Sequence, residues 1–271
     1  MAKSGPTKRD VAVPHPRVDR EGLDERLYLQ SLGRALDALD TFGSAHRAKS
    51  LNEIASDLGV TKSAAQRTVY TLLAHGYLEK ASGTGYRLGR QVLCNSFNFL
   101  RMDPLVQRAA PVLTQLRQAS NERVDLTLFE ETTVIYALRY QSKRESLHTA
   151  LLGRRLPSFL SAGGRVCLAN LSDEVVDDIL ANSELIASTP RTITSVPEIW
   201  SKITAAREDT YAFAQEEAVM GEVEVAAAIL DQSGKPVGAV HISGLLSDSD
   251  ESSFRAQFAP LVLEASRVLG A

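Results

Sequence analysis

The segment Ser50–Leu78, SLNEIASDLGVTKSAAQRTVYTLLAHGYL, constrains this chain more than any other part of it. Leu51, Ile54, Ala55 and Leu58 recur at helical spacing and share one face of a short helix. Gly59 supplies a turn, and Thr61 can cap a second helix whose Ala65, Val69, Leu72 and Leu73 face inward. The small Ala55, four residues before Gly59, permits the close crossing that a helix-turn-helix demands. With the apolar face taken away, Lys62, Ser63, Gln66, Arg67 and Tyr70 remain on the outward side of the second helix. These are phosphate-binding and base-reading side chains, spaced to enter a DNA major groove. Taken alone, the same residues suit an ordinary solvated face equally well. The residues that follow weigh against that reading. Glu79–Leu88 reads as strand, glycine turn, strand, with Gly83 and Gly85 permitting the positive backbone angles of a hairpin and Tyr86 and Leu88 alternating with Arg87. A helix-turn-helix followed at once by a basic hairpin is a winged helix. Arg87 therefore joins the DNA-contacting candidates.

Charge supports a division of labour. The chain has 271 residues and a net charge of −3, which is unpromising for a nucleic-acid binder until it is split. Residues 1–90 hold 14 Lys+Arg against 10 Asp+Glu, and residues 91–271 hold 16 against 23. Attraction to phosphate is local, so a mildly basic head on an acidic body fits DNA binding by the head. Cys94 and Cys167 lie far apart with no metal-ligand spacing, so neither a disulfide framework nor a zinc site is expected. No apolar run of membrane length and no apolar signal core is evident, and a soluble, cytoplasmic protein without a membrane partner is expected.

Along the chain, residues 1–24 are rich in Pro, Arg, Lys and Asp and are expected to form a disordered N-terminal arm. A solvated tail and a basic arm touching DNA through Lys3, Lys8, Arg9, Arg17 and Arg20 both fit that composition. Residues 25–89 form the expected winged-helix domain, opened by a helix from Tyr28 to Phe42 with Leu29, Leu32, Ala35, Leu36, Leu39 and Phe42 at helical spacing. A linker helix over 90–103, patterned from Val92 to Leu100, leads to a body over 104–271. There the spacing predicts a helix Pro104–Ser120, strands Val124–Phe129 and Thr133–Tyr140, and a strand around Leu147–Leu151. A glycine-containing turn at Ser161–Gly164 opens a further helix. Helices Asp173–Ala181 and Pro197–Asp209, strands Val223–Asp231 and Pro236–Ser243, and a helix from Asp248 to Leu269 complete an α+β sheet domain.

With these elements in place, the chain resembles the IclR family of transcription regulators over roughly residues 28–270. The resemblance rests in the head on Ser31-Leu32-Gly33-Arg34-Ala35-Leu36, Leu51-Asn52-Glu53-Ile54-Ala55, Thr61–Arg67, Gly76-Tyr77-Leu78-Glu79 and Gly85-Tyr86-Arg87-Leu88-Gly89. In the body it rests on Arg154-Arg155-Leu156-Pro157, the Ser161–Arg165 turn, and Asp231–Ala239. It implies two domains, an N-terminal winged helix-turn-helix joined by a linker helix to a GAF-like α/β effector-binding domain. It further implies double-stranded operator DNA as partner, a small-molecule effector, and a homodimer, possibly a dimer of dimers. It implies no catalysis, no cofactor and no metal.

The resemblance also places the effector pocket among Phe159, Leu160, Ser161, Ala162, Gly163, Glu224, His241 and Ser243. Free backbone N–H groups at the Ser161–Gly164 helix start would receive a carboxylate or carbonyl oxygen, while Ser161 either adds a hydroxyl or merely caps its helix. Relatives often carry a cysteine and a serine where this chain has Glu224 and His241, and an aspartate where it has Ala214. Strand alternation puts Glu224, Ala226 and Ala228 on one face, and Ala239, His241 and Ser243 on another. Glu224 and His241 would either pair with each other or engage the ligand, and Arg165 or Arg139 would have to counter Glu224 for an anion to enter. Donors at one end and an acceptor at the other suit a hydroxylated aromatic acid or amide. The alternative is a hydrolase-like enzyme using Glu224 and His241 as acid and base. No nucleophile motif accompanies the pair.

Overall fold

The computed structural model describes residues 24, 26–43, 47–142, 152–248 and 250–270. The expected N-terminal arm and the expected strand at Leu147–Leu151 fall outside them, save Asp24. The chain divides into two compact units, Met1–Phe99 and Leu100–Ala271.

The first unit holds α1 (Gln30–Asp40), α2 (Leu51–Asp57), α3 (Lys62–Ala74), β1 (Leu78–Lys80) and β2 (Tyr86–Leu88). Ser50 starts α2 through a capping box: its hydroxyl accepts from the Glu53 N–H, and the Glu53 carboxylate accepts from the Ser50 N–H. Hydrogen bonds from Arg47 and then from Ser50 hold the Glu53 carboxyl down at about 2. Thr61 caps α3 by accepting from the Ala64 N–H at 3.3 Å. Between the two helices Gly59 adopts φ 62°, a left-handed conformation that a Cβ would strain. Ala38, Phe42, Ile54, Val69, Leu72 and Leu78 close the core of this unit.

Two expectations need correction here. Gly83 takes the positive φ of the hairpin turn, at 89°, whereas Gly85 does not; a Cβ on Gly85 would stand 2.9 Å from the Ala48 Cβ, so that glycine serves close approach. Tyr86 is bridged to Lys49, which ties the hairpin to the start of α2. On α1 only part of the apolar stripe turns inward. Leu29, Leu32 and Leu36 are exposed, because Gly33 and Ala38 take the contact positions.

The helix α4 (Gln91–Met102) contains the division between units and buries none of its residues. The second unit follows with α5 (Pro104–Ser120), β3 (Arg123–Glu130), β4 (Thr133–Tyr140), β5 (Arg155–Pro157), α6 (Ala162–Leu168), α7 (Asp173–Ala181) and α8 (Val196–Asp209). It ends with β6 (Ala212–Gln215), β7 (Glu222–Leu230), β8 (Pro236–Leu245) and α9 (Glu251–Leu269). The strands form one antiparallel sheet in the order β5-β4-β3-β8-β7-β6. The edge strands β5 and β6 lack a clear alternating apolar run, which is why strand patterning alone gave them no bounds.

Alternation sorts the two faces of this sheet. Val124, Leu126, Val223, Val225, Ala227, Ile229, Val240 and Ile242 point to α5 and α9 and form a dry core with Leu113, Phe254 and Phe258. The other face carries Arg123, Asp125, Thr127, Glu224, Ala226, Ala239, His241 and Ser243 and is covered in part by α6. There Gly163 and Gly164 lie inside the first turn of α6 rather than in a preceding turn. A Cβ on Gly163 would fall 2.1 Å from His241 Cε1, and one on Gly164 would fall 2.2 Å from the Ser158 carbonyl oxygen. The glycines let this helix lie directly on the sheet.

Candidate functional site

Two polar faces emerge, one on each unit. On α3, Lys62, Ser63, Gln66, Arg67 and Tyr70 are all exposed, while Ala65, Val69 and Leu72 are buried on the opposite side. Tyr70 keeps 75 % of its surface exposed, which is unusual for an aromatic residue on a helix packed into a small core. Among the described residues neither Lys62 nor Arg67 forms a salt bridge, so both cations are left to solvent. Arg87 differs: its Nε donates to Glu79 Oε1 at 2.6 Å across the hairpin, which offsets its charge.

On the sheet face of the body the charges are buried and already engaged. Arg165, fully buried on α6, donates from Nη1 and Nη2 to the two Glu217 oxygens at 2.5 and 2.6 Å, and from Nε to the Phe159 carbonyl. Its guanidinium is thus committed and does not counter Glu224. Arg139 is likewise committed, gripping Asp125 through Nε at 2.6 Å and Nη2 at 3.0 Å. Arg123 bridges Asp125 and Glu222.

Glu224 and His241 pair, with Nδ1 2.6 Å from Oε1. The other imidazole nitrogen, Nε2, lies 2.7 Å from the Thr127 hydroxyl. The second Glu224 oxygen accepts the Ala162 N–H at 3.1 Å. Burial raises the Glu224 carboxyl, but the charge and hydrogen bond of His241, the charge of Arg123 and the Ala162 N–H outweigh it and hold it below its ordinary range. A second expected donor is spent too: the Gly164 N–H goes to the Ser161 hydroxyl at 3.0 Å, so Ser161 caps its helix. The arrangement of free donors at the helix start opposite a free acceptor is therefore corrected. Glu224 reaches across to the Ala162 N–H, and Ser161 takes the Gly164 N–H.

Phe159 and Leu160 are buried in the core under α6 with Val134, Tyr136 and Leu156. Ser243 is buried, and its hydroxyl finds no hydrogen-bond partner. In register it stands between Arg123 on β3 and Glu224 on β7. Sequence reading had not singled out Arg123, Asp125, Thr127, Tyr136, Glu217 or Glu222. The signal was available in Arg123-Val124-Asp125-Leu126-Thr127, where polar residues alternate with the apolar residues of a central strand.

The Thr127–His241–Glu224 chain has the connectivity of a hydrolytic triad. Its Thr127 end is closed to a substrate. Thr127 and His241 are wholly buried, the Thr127 hydroxyl is spent on the imidazole, and the Gly163 backbone lies directly against that ring. Among the described residues no group of His, Cys, Asp and Glu could hold a metal ion, and no helix is long and apolar enough to cross a membrane.

Comparison with known proteins matches both parts of the chain to one family. Residues 97–270 match the family described as bacterial transcriptional regulator IclR C-terminal, and residues 31–82 match the IclR helix-turn-helix domain. The chain is 28% identical over 246 residues to the HTH-type transcriptional regulator XynR of Escherichia coli K12, covering 89% of this chain and 98% of that protein. It is 26% identical to the Pca regulon regulatory protein of Pseudomonas putida, over 96% of this chain and 89% of the relative. Among solved structures, a transcriptional regulator of Rhodococcus sp. RHA1 superposes with a TM-score of 0.75 at 28% identity, covering 90% of this chain and 97% of the other. An IclR homologue of Microbacterium hydrocarbonoxydans complexed with 4-hydroxybenzoate superposes with a TM-score of 0.72 at 23% identity, covering 89% and 97%.

Proposed function

This chain belongs to the IclR family of transcription regulators, and from that premise we propose how its two faces divide the work. The head, residues 25–89, reads a DNA operator through the outward side of α3, with Gln66 and Arg67 toward the bases and Lys62, Ser63 and Tyr70 on phosphate. Arg87 reaches the backbone from the hairpin. The body, from residue 104, holds a small organic effector against the sheet face that bears Glu224, His241 and Ser243. Ligand binding alters operator affinity by favouring one arrangement of the protein over another. One structural relative carries 4-hydroxybenzoate, and a hydroxylated aromatic acid or amide is the class we propose here. The protein acts on DNA in the cytoplasm and performs no catalysis.

The observation that carries this reading is the exposed face of α3, whose Lys62 and Arg67 form no salt bridge among the described residues. A second copy of the chain is the natural partner for the rest of the head. Leu32 and Leu36 stand one turn apart on α1, with Leu29 before them, and Leu93, Phe99 and Met102 are exposed on α4. A homodimer, or a dimer of dimers, places two heads on half-sites about one helical turn apart. Selection from random duplexes by the full-length protein, followed by gel-shift titration, tests the proposal. A pseudopalindrome bound by a dimer is expected; failure to enrich any sequence overturns it.

A further inference from the structure

The buried sheet face bears on the charge of its ligand. Ser243 is 1% exposed and its hydroxyl has no partner, although a buried hydroxyl left unpaired is costly and uncommon. Its cross-strand neighbours are Arg123 and Glu224. Tyr136 on β4 stands beside His241, with the two rings 6.0 Å apart and the Arg139 guanidinium 5.1 Å from the Tyr136 centroid. Burial, then the Glu224 and Asp125 carboxylates, push the Tyr136 phenol well up, so it stays a neutral donor.

Among the described residues, the ions paired around this position are two guanidiniums, Arg123 and Arg139, and three carboxylates, Asp125, Glu222 and Glu224. Both guanidiniums already hold carboxylates, and a protonated His241 would bring the set only to neutrality. The Ala162 N–H that could have received an acid is held by Glu224. Glu222 and Glu224 keep 18% and 12% of their side chains exposed, so this edge of the cluster is the side open to solvent.

We propose that the effector presents an uncharged hydrogen-bonding group, an amide, alcohol or carbonyl, to Ser243, and that a free carboxylate is excluded from this position. The proposal rests on reading the body as effector-binding, and it divides the acid from the amide within the class proposed above. The uncharged group completes the unpaired Ser243 hydroxyl without adding a charge to three carboxylates. A like charge about 6 Å away at an effective dielectric of about 20 lowers affinity on the order of a hundredfold.

The test uses the full chain and two matched pairs, 4-hydroxybenzamide with 4-hydroxybenzoate and acetamide with acetate. Each is titrated calorimetrically at neutral pH and soaked into crystals. The amide of each pair should bind about tenfold tighter or better than its acid, and should be ordered with a hydrogen bond to the Ser243 hydroxyl. Ser243→Ala removes only an unpaired hydroxyl, so the protein should fold as before and lose the ordered amide. Glu224→Gln should narrow the amide-to-acid ratio by about fivefold or more. An acid that binds as tightly as its amide, or the absence of both amides from Ser243, overturns the proposal. The DNA-binding reading fails separately, in the inability of ligand-free protein to select a duplex.

Discussion

The outward face of α3 and the polar face of the body's sheet are made from the same kinds of residue and behave as opposites. On α3, Lys62 and Arg67 stand in water and form no salt bridge among the described residues. On the sheet Arg123, Asp125, Arg139, Glu222, Glu224 and His241 are closed into mutual pairs, and Arg165 is locked to Glu217 nearby. The physical difference is desolvation. A solvated cation costs nothing to leave unpaired, whereas a buried one must be compensated inside the protein. The proposed function accordingly uses the solvated groups on α3, and on the sheet whatever the pairing leaves over.

The comparison is broken most forcefully by removing one partner of a buried pair. Glu217→Ala leaves Arg165 buried and uncompensated and should cost about 3–5 kcal/mol in urea unfolding. Arg67→Ala, on the solvated face, should leave the unfolding midpoint within about 0.5 kcal/mol of the parent. Equal effects of the two would mean the distinction between the faces is false. Next in size, Gly163→Ala forces a Cβ into the His241 ring and should cost about 1–3 kcal/mol by overpacking. The same measurement checks it, and unchanged stability would show that α6 does not lie on the ring.

Binding sharpens the contrast from the other side. Arg67→Ala should weaken operator binding about tenfold or more at fixed salt. Lys62→Ala should weaken all duplexes alike and reduce the salt slope of log affinity by about one. Gel shifts at several salt concentrations separate the two, and wild-type behaviour of both would remove α3 from the interface.

The smallest effect expected is one of pH. Glu224 has its carboxyl held below its ordinary 4.5 in the folded protein. Its ion pair therefore stabilises fully above that ordinary value and fades as pH falls through the lower, folded one. Urea midpoints followed from neutral pH downward should show this acid-side loss in the parent and a shallower one in Glu224→Gln. Parallel profiles would mean the pair contributes nothing to the pH response.

The head was nearly all legible in sequence. Ala65, Val69 and Leu72 repeat at helical spacing with polar residues between them, and such a pattern needs no knowledge of distant chain. The exception was the stripe on α1, where periodicity could mark Leu29, Leu32 and Leu36 as sharing a face but could not say that Gly33 and Ala38 would occupy the contact. In the body, alternation in β7 and β8 put Glu224, His241 and Ser243 on their faces. The short edge strand β5 escaped because three residues are too few to show a period, and β6 was legible only as a strand near Tyr211 without bounds. Glu217 escaped because its partner lies 52 positions away.

Local pattern by itself determined the winged helix, the outward residues of α3, the two central hairpins of the body and the faces of their strands, because helix and strand periods are properties of neighbouring residues. What only the tertiary structure decided is who satisfies whom. That Glu224 takes the Ala162 N–H, that Arg165 and Arg139 are spent on Glu217 and Asp125, and that Ser243 is left unpaired all depend on strands and a helix brought together from distant parts of the chain. The need for a partner follows from burial, but the identity of the partner follows from distance, and distance exists only once the chain has folded.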